Sequence, residues 1–195
     1  MFLFPLTPKG WTRRRKAVHL YRRILAQSRL PFFYESFGVA DTLDGRFDLL
    51  SLHATLVVDR LLKAEDQPEG FKLAQALFDE MFLNLEFAVR EIGIGDLAVP
   101  RHVKRMMEAF HGRASAYRAA LQVIEDDSDL KAVLLRNLYA VSGHPNGTAL
   151  SELTSYVRKS VVSLADLSVG ELVRSETIFP CVKKEISYVP QECAA

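Results

Sequence analysis

Apolar positions along this chain recur at intervals of three and four, the spacing that gathers side chains on one face of an α-helix. Between about residues 12 and 30 that face carries Val18, Tyr21, Ile24 and Leu25, with arginines over the remaining surface. Pro31 closes the helix. The stretch to Arg46 mixes aromatic residues with Gly38 and Gly45, which predicts a packed connector rather than a free loop. From about 47 to 63, Leu49, Leu50, Leu52, Leu56, Val57 and Leu61 are too many apolar residues for a narrow stripe. That helix is expected to be buried on more than one side, at the centre of the core.

The acidic stretch 64–70, with Pro68, predicts a turn. Ala74, Phe78, Met81, Leu85, Ala88 and Ile92 then alternate by four and three, the pattern of a seam facing other helices. Gly93, Gly95 and Pro100 mark a stop and a restart, because Gly suits the left-handed residue at a helix end and Pro suits a first turn. The next helix uses Val103, Met106 or Met107, Phe110, Ala114, Tyr117, Leu121 and Ile124. Residues 126–128 separate it from one beginning near Asp129, with Leu130, Val133, Leu134, Leu138 and Val141 inward. The turn cluster Ser142-Gly-His-Pro-Asn-Gly147 precedes a last stripe of Leu150, Leu153, Val157, Val161 and Leu164, with Thr148 as its expected N-cap. After Gly170 the pattern decays. With no repeat and no strand series, the expectation is an all-α protein. It is a single compact domain of about six or seven helices over residues 12–170, with an extension at 1–11 and an irregular tail at 171–195.

Composition narrows the classes. A chain of 195 residues with 49% hydrophobic content can bury one sizeable core, and a formal net charge of +1 does not suggest a nucleic-acid binder from the whole-chain balance. The distribution says more: every charged residue before Pro31 is basic, which places a cationic face on the first helix. Arg13, Arg14, Arg15, Arg22 and Arg23 are candidates for contact with ribosomal RNA phosphates or anionic lipid head groups, and solvent is the third alternative. Cys181 and Cys193 lie outside the core segments, so neither a disulfide framework nor a zinc site is expected, and a reducing compartment fits. Met1-Phe-Leu-Phe-Pro-Leu6 is apolar but broken by Pro5 and far short of the roughly 20 apolar residues of a membrane span. The expectation is a bacterial-type protein of the cytoplasm, without signal peptide, presequence or transmembrane helix.

No catalytic chemistry converges. His19, His53, His102, His111 and His144 fall on different elements without the i, i+4 spacing of a helical metal site. The glycine-containing turns lack the preceding strand and lysine of a phosphate loop, and Ser142 and Ser151 lack a nucleophile elbow. Asp41, Asp44 and Asp48 cluster, and cap or turn duty is the simpler assignment for them than catalysis. Glu86 with Arg90, and Arg113 with Tyr117, share helix faces, as a local pair or as part of a recognition surface. No catalytic residue, cofactor or metal is predicted.

Several strings, in order, carry a resemblance: Ser28-Arg-Leu-Pro-Phe-Phe-Tyr34, Asp41-Thr-Leu-Asp-Gly-Arg-Phe47, Leu49-Leu-Ser-Leu-His53 and Arg90-Glu-Ile-Gly-Ile-Gly-Asp96. Val99-Pro100 and Phe110-His-Gly-Arg113 with Ala116-Tyr117 complete the set. Together they resemble the ubiquinol-cytochrome c chaperone family over roughly residues 20–121, with His111 standing where that family has an aromatic residue, often Tyr. The resemblance implies a helical, non-catalytic chaperone that holds newly made cytochrome b during assembly of the third respiratory complex. It also implies partners, a small second chaperone and the ribosome, and peripheral work at the inner face of the plasma membrane; any haem belongs to the client. The residues carried over are Arg46, Arg90, Glu91, Asp96, Arg113 and Tyr117 as a polar lining, with Phe32, Phe33, Tyr34 and Phe37 as apolar contacts. Those residues either build a client groove or lock the loops. A ribosome- or RNA-associated adaptor using the basic first helix is the alternative function.

Overall fold

The computed structural model describes residues 8–65, 67–140, 143, 145 and 147–182. Helices α1 (Pro8–Ser28), α2 (Pro31–Glu35), α3 (Leu43–Leu62), α4 (Gln67–Glu91), α5 (Val99–Gln122), α6 (Ser128–Leu138), α7 (Gly147–Ala165) and α8 (Val169–Arg174) follow in chain order, with no strand among the described residues. Six are long, and α2 and α8 are short. Val141, Ser142, His144, Asn146, Cys193 and the apolar Met1–Leu6 run lie outside the described residues.

Helix α3 is the hub. It packs on α1, α4, α5, α6 and α7, while α1 adjoins α4, α4 adjoins α5, α5 adjoins α6 and α6 adjoins α7, closing most of a ring around it. Its apolar excess follows from that position: Leu49, Leu52, Val57 and Leu61 are fully buried on different sides. The helix begins four residues before the expected start, because Thr42 serves as its N-cap and accepts a hydrogen bond from the Gly45 amide at 3.2 Å. Glycine is required at 45, where a Cβ would lie 2.0 Å from the Ala40 carbonyl oxygen. The cap role expected of the aspartates thus belongs to Thr42, while Asp41 pairs with Arg46 at 2.6 Å and Asp48 turns into the core. Gly93, at φ +89°, ends α4 as expected. Thr148 lies within α7, which begins at Gly147, so it is not the residue preceding that helix.

Three arginines satisfy carbonyls at helix C-termini that would otherwise lack donors. Arg23 reaches the Val173 carbonyl of α8 at 2.7 Å, Arg60 the Leu164 carbonyl of α7 at 2.9 Å, and Arg158 the Val123 carbonyl after α5 at 2.6 Å. A relay ties α1, α3 and α7 together: Gln27 of α1 donates to the Tyr156 hydroxyl of α7 at 3.0 Å, and His53 Nε2 of α3 lies 2.8 Å from that hydroxyl. His53 Nδ1 is 2.8 Å from the Leu49 carbonyl, which can only accept, so Nδ1 carries the proton and Nε2 accepts from Tyr156. Beyond Gly170 the chain returns to this centre. Leu172, Ile178 and Phe179 are buried, and the Phe179 ring meets His53 edge-on at 5.0 Å.

Candidate functional site

The ends of four helices leave an open groove of about 620 Å³. Leu25 of α1 and Arg29 just after it, Leu43, Arg46 and Phe47 of α3, Leu85, Phe87, Ala88 and Glu91 of α4 with Ile92 just after it, and His102, Arg105, Met106 and Arg113 of α5 are among its lining residues. Helix α4 stops at Glu91 and α5 restarts at Val99, and the connection between them enters the groove wall at Ile92. Apolar surface is left in water: Leu43 is 62% exposed, Phe87 57% and Ile92 51%. Clustered exposed apolar side chains rimmed by charges are the mark of a binding surface. Among the charged groups, arginines outnumber acids: Arg29, Arg46, Arg105 and Arg113 against Asp44 and Glu91.

Beneath the groove, Arg113 Nη2 stands 2.7 Å from Asp48 Oδ1, and its guanidinium lies 5.5 Å from the Phe47 ring centroid. Burial pushes the Asp48 carboxyl up to about 6, with the Arg113 charge pulling the other way. At the rim, the hydrogen bond from Arg46 holds the Asp41 carboxyl below its ordinary value. Arg90 pairs with Glu86 at 3.0 Å and also with Asp96, so it spans from α4 to the following turn. The Arg46 and Arg90 pairs are exposed, and exposed pairs contribute little to stability.

The structure divides the sequence-predicted residues. Arg46, Glu91 and Arg113 line the groove, whereas Arg90 and Asp96 do not line it and pair with each other next to its Glu91–Ile92 wall. Tyr117 is fully buried, so it supports α5 rather than offering a contact. The aromatic set does not line the groove. Phe33 and Phe37 are buried, with Phe33 edge-on to His53 and Tyr156, while Phe32 packs on Phe37 at 4.8 Å and the Tyr34 hydroxyl donates to the Ser28 carbonyl at 2.8 Å. Their local role is to lock α2 against the core. Sequence reasoning missed Leu43 and Phe87 and assigned Ile92 to a helix seam; the helix phase drifts from a seven-residue repeat, and Ile92 falls just past the end of α4. Ile124, 84% exposed, likewise lies beyond the end of α5 rather than on its buried face.

The basic helix is also divided. Arg13 pairs with Glu69 at 3.2 Å, Arg14 lies 3.8 Å from Glu80, and Arg23 caps α8, whereas Arg15 and Arg22 are exposed. Among the described residues no group of three or more His, Cys, Asp or Glu side chains could hold a metal ion, and no helix is long and apolar enough to cross a membrane.

Comparison with known proteins bears on this geometry. The sequence model of the family described as "Ubiquinol-cytochrome C chaperone" matches residues 35–179, which include the α3, α4 and α5 walls of the groove and the returning segment at Phe179. A solved chain described as the crystal structure of the Cbp3 homolog from Brucella abortus is similar at TM-score 0.72 and 34% identity, over 85% of this chain and 88% of that one. Comparison with curated proteins gives no match. With three-quarters of its length inside the family match and a like-folded relative at this identity, the chain belongs to the ubiquinol-cytochrome C chaperone family.

Proposed function

We propose that this chain is a non-catalytic assembly chaperone that holds newly made cytochrome b in the groove between α1, α3, α4 and α5 before the ubiquinol-cytochrome c oxidoreductase is assembled. One observation carries the reading: the family-like segments 41–47, 90–96 and 110–113, far apart in sequence, meet around one groove whose rim exposes Leu43, Phe87 and Ile92. A membrane subunit fresh from synthesis has apolar helices that water disfavours, and a half-apolar groove covers part of such a surface while arginines engage its polar flanks. Work at the cytoplasmic face of the membrane, a small second chaperone and ribosome contact are the wider setting of the proposal. The RNA-adaptor alternative loses support, since Arg13, Arg14 and Arg23 of its five arginines are engaged within the chain.

The test is a variant in which Leu43, Phe87 and Ile92 are all replaced by Ser. These side chains are already exposed, so the circular dichroism and melting profile are expected to stay unchanged, while cytochrome b recovered with the tagged protein falls by tenfold or more, in line with the loss of roughly 1.4 kcal/mol per decade. Undiminished recovery from the folded variant would remove the groove from the proposal. Normal levels of cytochrome b in cells lacking the protein would remove the client.

A further inference from the structure

We propose that the outer face of α1 is a docking surface for a bilayer rich in anionic lipid. Between Pro8 and Ser28 there is no acidic residue. Lys9, Arg15, Lys16 and Arg22 are exposed and form no ion pair with a described residue, in contrast to Arg13 and Arg14. Trp11, Arg15, Val18, His19 and Arg22 succeed one another at helical spacing along a shallow cleft of about 230 Å³, which Arg14 also lines. From Trp11 to Arg22 the stripe runs about 16 Å at the α-helical rise. None of these residues lines the groove, which uses Tyr21, Leu25 and Ser28 of the same helix and Arg29 just after it.

The indole favours one partner. A polynucleotide would attract the same cations but would engage the ring only where an unpaired base stacks on it, whereas Trp is favoured along the whole boundary between head groups and acyl chains. Trp11 is 60% exposed at the start of the helix, and the sequence leading into it, Met1-Phe-Leu-Phe-Pro-Leu6, is apolar. An interfacial helix with cations in the head-group layer and an aromatic anchor at one end meets both halves of a membrane surface. The helix's inner face packs on α3 and α4, so docking needs no unfolding.

Trp11 is the chain's one tryptophan, which makes it the reporter. The full-length protein is mixed with vesicles of phosphatidylcholine alone or with an equal part of phosphatidylglycerol. The expected result is a blue shift of emission and co-sedimentation with the anionic vesicles only, quenching by brominated acyl chains, and reversal by high salt. Arg15→Gln with Arg22→Gln is expected to weaken vesicle binding about thirtyfold, the loss of two head-group attractions. Lys159→Gln, on an exposed position of α7, is the control and is expected to leave binding unchanged. Absence of a shift and of co-sedimentation with anionic vesicles would overturn the proposal, as would full binding by the correctly folded double variant. Binding to ribosomal RNA without binding to vesicles would overturn it in favour of a polynucleotide. Because the groove is a separate surface, any of these failures leaves the chaperone reading to be judged by client recovery alone.

Discussion

The Arg113 guanidinium of α5 meets the Asp48 carboxylate of α3 at 2.7 Å directly under the groove, so the wall of the groove is fastened to the central helix by a largely buried ion pair. Removing one partner of such a pair leaves the other charge in a poorly solvated place. Arg113→Ala is expected to destabilise the fold by about 3 kcal/mol at neutral pH. The Asp48 carboxyl binds its proton more tightly in the folded chain, at about 6 against an ordinary 3.8. Its contribution to stability is therefore full below the ordinary value and is lost as pH rises through about 6. In the variant that loss is larger, so the deficit should shrink as the pH is lowered to about 5. Urea unfolding of both proteins at both pH values checks this; a deficit independent of pH would contradict it.

His53 acts in the opposite sense. Burial lowers it to about 4 from an ordinary 6.5, with the Leu49 carbonyl opposing the shift. The neutral ring is what the Tyr156 hydroxyl and the surrounding Phe33 and Phe179 rings accommodate. Its stabilising share is present above 6.5 and is lost as pH falls toward 4, by at most about 3 kcal/mol. Asp48 compensates over the lower part of that window, so the whole-protein profile is a sum. Replacing His53 by Phe removes the acid-sensitive half of that sum, so the unfolding free energy of the variant should rise relative to that of the parent as pH falls from 6.5 to 4.5, whatever its absolute value. An unchanged slope would mean that His53 is not held neutral.

Two glycines in family-like strings predict opposite outcomes. Gly45→Ala drives a Cβ to 2.0 Å from the Ala40 carbonyl oxygen, and the backbone there must shift, at an expected loss of about 1–3 kcal/mol. Gly112, inside α5, has open space around its Cβ position. Gly112→Ala should stabilise the protein by roughly 0.5–1 kcal/mol through helix propensity. Thermal melts of the two variants distinguish these cases directly.

Much of the fold was legible because it depends on local spacing. The apolar excess of 47–63 marked α3 as central, and Gly93 marked the end of α4. Distant polar partnerships carried no such signal: Arg23 and the α8 carbonyls are separated by about 150 positions, and nothing near Arg23 announces that it caps a helix. Phe179 follows a stretch whose periodicity has already faded, yet its ring completes the cluster around His53. The groove was legible only through the resemblance, which brought Arg46, Glu91 and Arg113 forward. Its apolar rim arises where helices stop, and an exposed Phe87 has the same spacing in sequence as a buried one. The aromatics of 32–37 point the same way: a ring-rich string identifies apolar surface but not the side of the helix pair that covers it.

Site-specific photo-crosslinking in respiring cells tests the central claim most directly. A photoreactive residue is placed at Phe87 in the groove and, separately, at Val162, an exposed apolar position on α7. The groove position is predicted to capture newly made cytochrome b, and Val162 is predicted to capture little. Equal capture from both positions, or none from Phe87 while Val162 reacts, would contradict a chaperone that shields its client between α1, α3, α4 and α5.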